Sequence, residues 1–346
     1  MAGRTCRLLA LYLAVLLALD FSTMTYAVLR GPFPLAVALG APTAYLNIFV
    51  HVPIAISSYI VFALALVSGI LYLWKRDDKY DRITQSAVIV GEAYGVFTII
   101  TGMAWASESW GAAWNWDPRE TGVLLLVLAY LGYFAVRNSI PDPERKKLVA
   151  NAYAVAAFSM VPISFAAPYI FKSLHPSFRE AQTFMWTGSA APLMGSRMLL
   201  AILTAISLVL APYKARTAKC NTKTLVTIGA AFLIAAAAAA TYVAAPYITD
   251  NPVRAVRVGT DENGNITWIL LSNGTNTTLP KPVENPVKPP LTRQGQSSLT
   301  GHIITLENGK IQVVRHWCVP FNMAMYGLLV FTALLAQHLY TKNKTH

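Results

Sequence analysis

Residues 53–74 read PIAISSYIVFALALVSGILYLW, and Lys75-Arg76-Asp77-Asp78-Lys79 follows at once. Twenty-two residues without a charge are long enough, as a helix, to cross the roughly 30 Å hydrocarbon core of a bilayer. The charged cluster then stops the span. The rest of the chain repeats this plan. Of its 346 residues 55% are hydrophobic and 13% charged, whereas soluble domains carry roughly 25% charge. The mean hydropathy is +0.46. A soluble globular protein is excluded.

Seven further apolar runs, 8–29, 83–105, 122–136, 148–171, 194–213, 224–248 and 318–340, bring the candidate spans to eight. The first follows Arg4 and Arg7, as a signal peptide would, but no small-residue cleavage site follows it, so it counts as a helix. The runs at 122–136 and 194–213 are short, and the loop charges demand them. Lys75, Arg76, Lys79 and Arg82 fill one connection. Arg137, Arg145, Lys146 and Lys147 fill a second, and Lys214, Arg216, Lys219 and Lys223 a third. With Arg4, Arg7, Lys342 and Lys344, sixteen of the 28 bases fall on one side of the membrane. By the positive-inside rule that side is cytoplasmic, as are both termini. The net charge of +12 thus reflects topology and gives no case for a nucleic-acid partner. Stretches 30–52, 106–121, 172–193 and 249–317 lie outside.

The fold class expected is an all-α polytopic membrane protein of about eight transmembrane helices, with a small extracytoplasmic β-containing insertion between the last two. In that insertion, 303–306 and 311–314 flank Asn308-Gly309, which suits a tight hairpin turn. The proline-spaced 280–290 reads as an extended linker. Asn265, Asn273 and Asn276 begin glycosylation sequons, compatible with an external location. No internal repeat is found. Cys6, Cys220 and Cys318 form no C-x-x-C or C-x-x-C-H, so neither a disulfide framework, nor a zinc site, nor covalent haem attachment is expected.

The chemistry concentrates in one outer loop. Trp110-Gly111-Ala-Ala-Trp114-Asn-Trp116-Asp117-Pro118-Arg119-Glu120-Thr121 follows Trp105 by a few residues. On an interfacial helix, Trp110, Trp114 and Asp117 recur at i, i+4 and i+7 and make one aromatic face ending in an acid. Membrane proteins carry tryptophan belts anyway, but the order here is more specific than a belt requires. Asp117 suits the cap of the fourth helix, with Pro118 at its first position. His51 stands just before the second helix and His175 just after the fifth, and loop charge alone puts both on the tryptophan side. His302 and His316 read as surface residues of the insertion, while His338 and His346 fall at the cytoplasmic end. Asp20 and Glu92, inside predicted helices, read as structural polar contacts.

The segment resembles the tryptophan-rich WWD signature of the haem-handling proteins of cytochrome c maturation. The CcmC type is most similar, through His51-Val52-Pro53, the WWD segment and Leu174-His175, in the helix order of a six-helix core. Asp117-Pro118-Arg119-Glu120-Thr121 is more like the CcsA (ResC) branch, which has an eight-helix layout. The resemblance covers about residues 45–213. It implies a core at 1–213, with the WWD segment at 105–121, and a C-terminal extension at 214–346 bracketing the external domain at 249–317.

It further implies noncovalent haem b with His51 and His175 as axial ligands. A planar porphyrin needs aromatic surface for its ring, donors for two propionates and imidazole for its iron, and this face offers all three. Trp105, Trp110, Gly111, Trp114 and Trp116 would form the shelf, with Asp117 and Arg119 orienting it. The implied partners are haem, a CcmE-like haem chaperone or apocytochrome c, ABC-type maturation components and membrane lipid. The chain would be a binding and delivery protein, not an enzyme. A b-type electron carrier oxidising quinol and a transmembrane haem transporter are the alternatives. One departure concerns Leu46, which stands where CcmC relatives can carry a base.

Overall fold

A computed structural model describes residues 2–31, 42–176, 186, 190–286, 299–307 and 310–342. Lys344, His346, the Asn308-Gly309 dipeptide and the proline-spaced stretch beyond 286 lie outside them, as do parts of the outer stretches 30–52 and 172–193. Eight helical segments are long and apolar enough to cross a membrane: Gly3–Arg30, Ala44–Lys75, Asp78–Ser109, Pro118–Ser139, Pro143–Ile170, Ala190–Thr217, Lys223–Thr249 and Cys318–Tyr340. The chain is a polytopic membrane protein. The helices are α1 (Ala2–Arg30), α2 (His51–Lys75), α3 (Asp78–Ser109), α4 (Pro118–Ser139), α5 (Pro143–Ala157), α6 (Met160–Ile170), α7 (Ala190–Thr217), α8 (Lys223–Thr249) and α9 (Cys318–Lys342). A 3₁₀ segment, Pro42–Phe49, leads into α2. The fifth span is broken between α5 and α6, near Phe158 and Ser159.

Polar residues set these boundaries. Asp77 caps α3 by accepting from the Lys79 amide, and Asp142 caps α5 ahead of Pro143. The two spans that look short in the sequence are longer as helices, Pro118–Ser139 and Ala190–Thr217. Asp117 and Pro118 carry α4 four residues upstream of the apolar run.

The basic connections gather at one end. There Arg137 of α4 makes a bidentate pair with Asp81 of α3 at 2.7 Å for both contacts, and Asn151 of α5 donates to the same carboxylate. Lys147 reaches Asp78, and Thr222 contacts His338. At this end the structure corrects an expectation, because Cys6 and Cys220 are joined by a disulfide. Spacing gave no sign of it. The partners are 214 residues apart, and only the packing of α1 beside α7 brings their Cα atoms to 5.5 Å.

Deep in the bundle, Asp20 of α1 pairs with Arg197 of α7, both fully buried. Thr204 donates to Asp20 at 2.9 Å and Tyr326 of α9 at 2.5 Å. Arg197 also donates from Nε to the Phe49 carbonyl. Asp20 is thus the structural contact expected of it. Glu92, in α3, is buried with neither carboxylate oxygen hydrogen-bonded among the described residues.

Between α8 and α9 the chain forms a five-stranded antiparallel sheet rather than one hairpin. The strands are β1 (Val253–Thr260), β2 (Ile266–Leu271), β3 (Asn276–Val283), β4 (Ile303–Glu307) and β5 (Lys310–Val314), in the order β3-β2-β1-β4-β5. The expected β4–β5 hairpin is present, Glu307 opposite Lys310. Pro280 and Pro282 belong to β3, not to a linker. An edge strand tolerates prolines because half of its amides face no partner strand. Ala255, Ile266, Ile269, Leu271 and Ile304 form the small core under the sheet. His302 and His316 are buried, not surface residues.

Removing one partner of the buried ion pair should be costly. Arg197→Met should lower stability in detergent by about 3–5 kcal/mol, and Asp20→Asn in the same chain should restore part of it; thermal unfolding of the two variants checks this. A second expectation concerns His302, which burial first, and then Arg315 and Arg254, hold down at about 3. Below the unfolded value near 6.5 the unfolded chain takes up a proton that the folded domain refuses. Domain stability should therefore be flat above pH 6.5 and fall by about 2 kcal/mol at pH 5. Protease resistance of 253–314 should track that slope, and His302→Gln should flatten it.

Candidate functional site

The tryptophan segment is not helical. Helix α3 ends at Ser109 and α4 starts at Pro118, and the residues between form an irregular loop. Gly111 turns it at φ 81°, and Trp116 holds the left-handed region at φ 55°, where non-glycine residues are uncommon. The aromatic surface is thus made by a turn and not by helical repetition, which corrects the i, i+4, i+7 reading.

Behind the loop lies a cavity of about 590 Å³, within the range of small-molecule sites. His51, Trp105, Trp110, Trp114, Arg119 and His175 all line it, with Tyr59, Val123, Phe165 and Trp186 adding apolar and aromatic wall. Gly111, Trp116 and Asp117 do not line it. Gly111 makes the turn. Trp116 is 72% exposed and lies edge-on to Trp114 at 5.6 Å. Asp117, 4% exposed, acts through His175.

Each histidine is oriented by a partner on Nδ1. Thr101 Oγ1 lies 2.8 Å from His51 Nδ1 and donates its own proton to the Phe97 carbonyl at 2.6 Å. A hydroxyl has one proton to give. When that proton goes to the carbonyl, His51 Nδ1 is the donor to Thr101 and Nε2 keeps its lone pair. Gly102 permits this seat, since a Cβ there would meet His51 Cε1 at 3.1 Å. His175 Nδ1 lies 2.8 Å from Asp117 Oδ1, an acceptor only, so it too carries the proton on Nδ1. Trp105 stands edge-on to His51 at 5.7 Å and Trp110 edge-on to His175 at 4.7 Å.

Asp117 serves more than His175. Its Oδ1 also accepts the Arg119 amide, while Oδ2 accepts the Ser173 hydroxyl at 2.7 Å and the Leu174 amide at 2.6 Å. Glu120 returns the favour of the cap by accepting the Asn115 and Asp117 amides. Burial alone would push the Asp117 carboxyl up; hydrogen bonds from His175 and Ser173 overcome it and hold the group well below the usual carboxylate range. Arg119 stacks on Phe165, 5.3 Å from its centroid, and donates to that residue's carbonyl.

The late sheet docks beside this site. Arg254 of β1 pairs with Glu108 at the end of α3, and His316 Nε2 lies 2.8 Å from the other Glu108 oxygen. His316 Nδ1 is 3.2 Å from Cys318 Sγ, which accepts from Asn47. Asn322 of α9 donates to Asn47 and to the Thr101 carbonyl. Thr101, Gly102, Ser173 and the Glu108–His316 pair were not singled out from sequence. Only the i−4 spacing of Thr101 before Trp105 and the Ser-x-His at 173–175 hinted at them.

The profile of the cytochrome c assembly protein family matches residues 3–175, half of the chain. This chain belongs to that family. Similar members are called heme exporter protein C. The one from Paracoccus denitrificans is 35% identical over 97 residues, covering 28% of this chain and 40% of the relative. That from Rhodobacter capsulatus is 34% identical over 111 residues, 32% and 45% of the two chains. The Escherichia coli K12 protein is 27% identical over 155 residues, 44% and 62%. The chain spans about two fifths of the first two relatives' length. The family match takes in both cavity histidines and the whole tryptophan loop, and it ends at His175.

Asp117→Asn keeps the side chain's shape but puts a donor where an acceptor is needed. It should cost about 1–3 kcal/mol and speed hydrogen exchange at the Leu174 amide. An unchanged exchange rate there would show that the carboxylate does not hold the 173–175 turn.

Proposed function

We propose that this cytochrome c assembly family member holds haem b noncovalently in the cavity behind the tryptophan loop and delivers it to a haem chaperone or apocytochrome during cytochrome c biogenesis. The observation that carries the reading is that His51 and His175 line one cavity, each with Nδ1 2.8 Å from an anchoring oxygen, Thr101 Oγ1 and Asp117 Oδ1, so that Nε2 of each is the nitrogen left for iron. Metal-ligating histidines are characteristically anchored in this way. The cavity fits the rest of the cargo. Trp105, Trp110 and Trp114 supply ring surface, and Arg119 Nε is a buried donor with no partner among the described residues, suited to a propionate. Trp116, exposed at the rim, extends the aromatic surface outward.

The positive-inside distribution supports a cytoplasmic basic end and an extracytoplasmic cavity. The β-domain, docked on Glu108 at the cavity end, is placed to meet an acceptor. His338, bonded to Thr222, sits at the opposite end, so nothing among the described residues favours a second haem deep in the bundle, as an electron carrier would need.

Purified protein supplied with haem should show a bis-imidazole absorption spectrum and the pyridine haemochrome of unattached haem. His51→Ala and His175→Ala should each retain several-fold less haem, and imidazole in the buffer should partly restore it. Full retention by the double variant would overturn the ligand assignment.

A further inference from the structure

Two buried donors in the cavity wall have no hydrogen-bond partner among the described residues. Trp105 Nε1 and Ser109 Oγ are both shielded from solvent, and neither has a hydrogen-bond partner among the described residues. Both residues line the cavity. They lie four residues apart in α3, so they share one face a single turn apart. The indole cannot easily turn away to find another acceptor, because its ring is wedged edge-on between Tyr45 at 5.8 Å and His51 at 5.7 Å. Buried N–H and O–H groups in folded proteins are almost always satisfied, and an exception at a cavity wall points to what the cavity holds.

An indole N–H can only donate, so the missing partner must be an acceptor. Two donors one turn apart match a carboxylate, which offers two acceptor oxygens. Leu46, fully buried and apolar, supplies no donor from the 3₁₀ segment. The guanidinium of Arg119 is held separately, against Phe165. We infer that Trp105 Nε1 and Ser109 Oγ form a neutral carboxylate subsite that takes one propionate of the porphyrin while Arg119 takes the other. This rests on the haem reading given above. It makes the site asymmetric, with one carboxylate met by a cation and the other by uncharged donors beside the His51 ligand.

The test titrates the purified full-length protein in detergent with haem and with haem dimethyl ester, whose propionates carry no charge. Wild-type protein should bind haem at least about tenfold more tightly than the diester, as expected for losing a charge-assisted hydrogen bond. Trp105→Phe, which keeps the ring against His51, and Ser109→Ala should each weaken haem binding several-fold. Together they should weaken it by about tenfold or more, and weaken haem binding several-fold more than diester binding, with the bis-imidazole spectrum retained. Haem affinity equal to wild type in the double variant overturns the subsite. So does an equal loss for haem and diester, which would mean that packing alone is at stake. A wild-type protein that binds no haem overturns the haem reading and the subsite with it. Wild-type haem binding with unaltered variants overturns the subsite alone.

Discussion

One carboxylate, that of Asp117, accepts from four groups at once: the Arg119 amide, the Ser173 hydroxyl, the Leu174 amide and His175 Nδ1. It sits at the amino end of α4, where unpaired backbone amides and the helix dipole favour a negative charge. The same residue therefore starts a membrane-spanning helix and fixes an imidazole from a loop 58 residues away. Capping and positioning are not competing roles, because both need an ionised acceptor at one point in space. The other histidine is held by a weaker version of the same device, in which Thr101 is made an acceptor by the Phe97 carbonyl.

These anchors rest on helices that the end of the chain helps to hold. Helix α9 donates to the Thr101 carbonyl from Asn322, to Asp20 from Tyr326 and to Ser86 from Gln337. The family match stops at His175, yet the helix bearing Thr101 is gripped by Asn322 and Gln337, well beyond that limit. In a bilayer, where water cannot satisfy a buried polar group, such contacts decide which helices are neighbours.

The sequence made legible whatever depends on composition and order along the chain. Apolar runs and basic stops located the spans, and their alternation put His51, His175 and the tryptophans at one end, where the structure has them. The Asp117-Pro118 cap was readable because its partners are local. What could not be read is set by tertiary geometry. The tryptophan loop follows a positive-φ turn at Gly111 and Trp116 that helical periodicity cannot encode. His316 looks like a surface residue until Glu108 is folded against it. The orientation of His51 depends on a hydroxyl proton of Thr101, 50 residues away. The prolines of β3 suggested a linker because nothing in the sequence says that their strand is an edge.

The Cys6–Cys220 bond divides the chain into a closed part and an open one. It closes a covalent ring around the first six spans, from α1 to α7, and leaves α8, the sheet and α9 outside. Both sulfurs lie within the first 220 residues, so the ring can close without α8, the sheet or α9. Helix α9 packs on α3 from outside the ring, where Asn322 and Gln337 add second hydrogen bonds to the Thr101 and Ser86 carbonyls, which already serve the helix ladder.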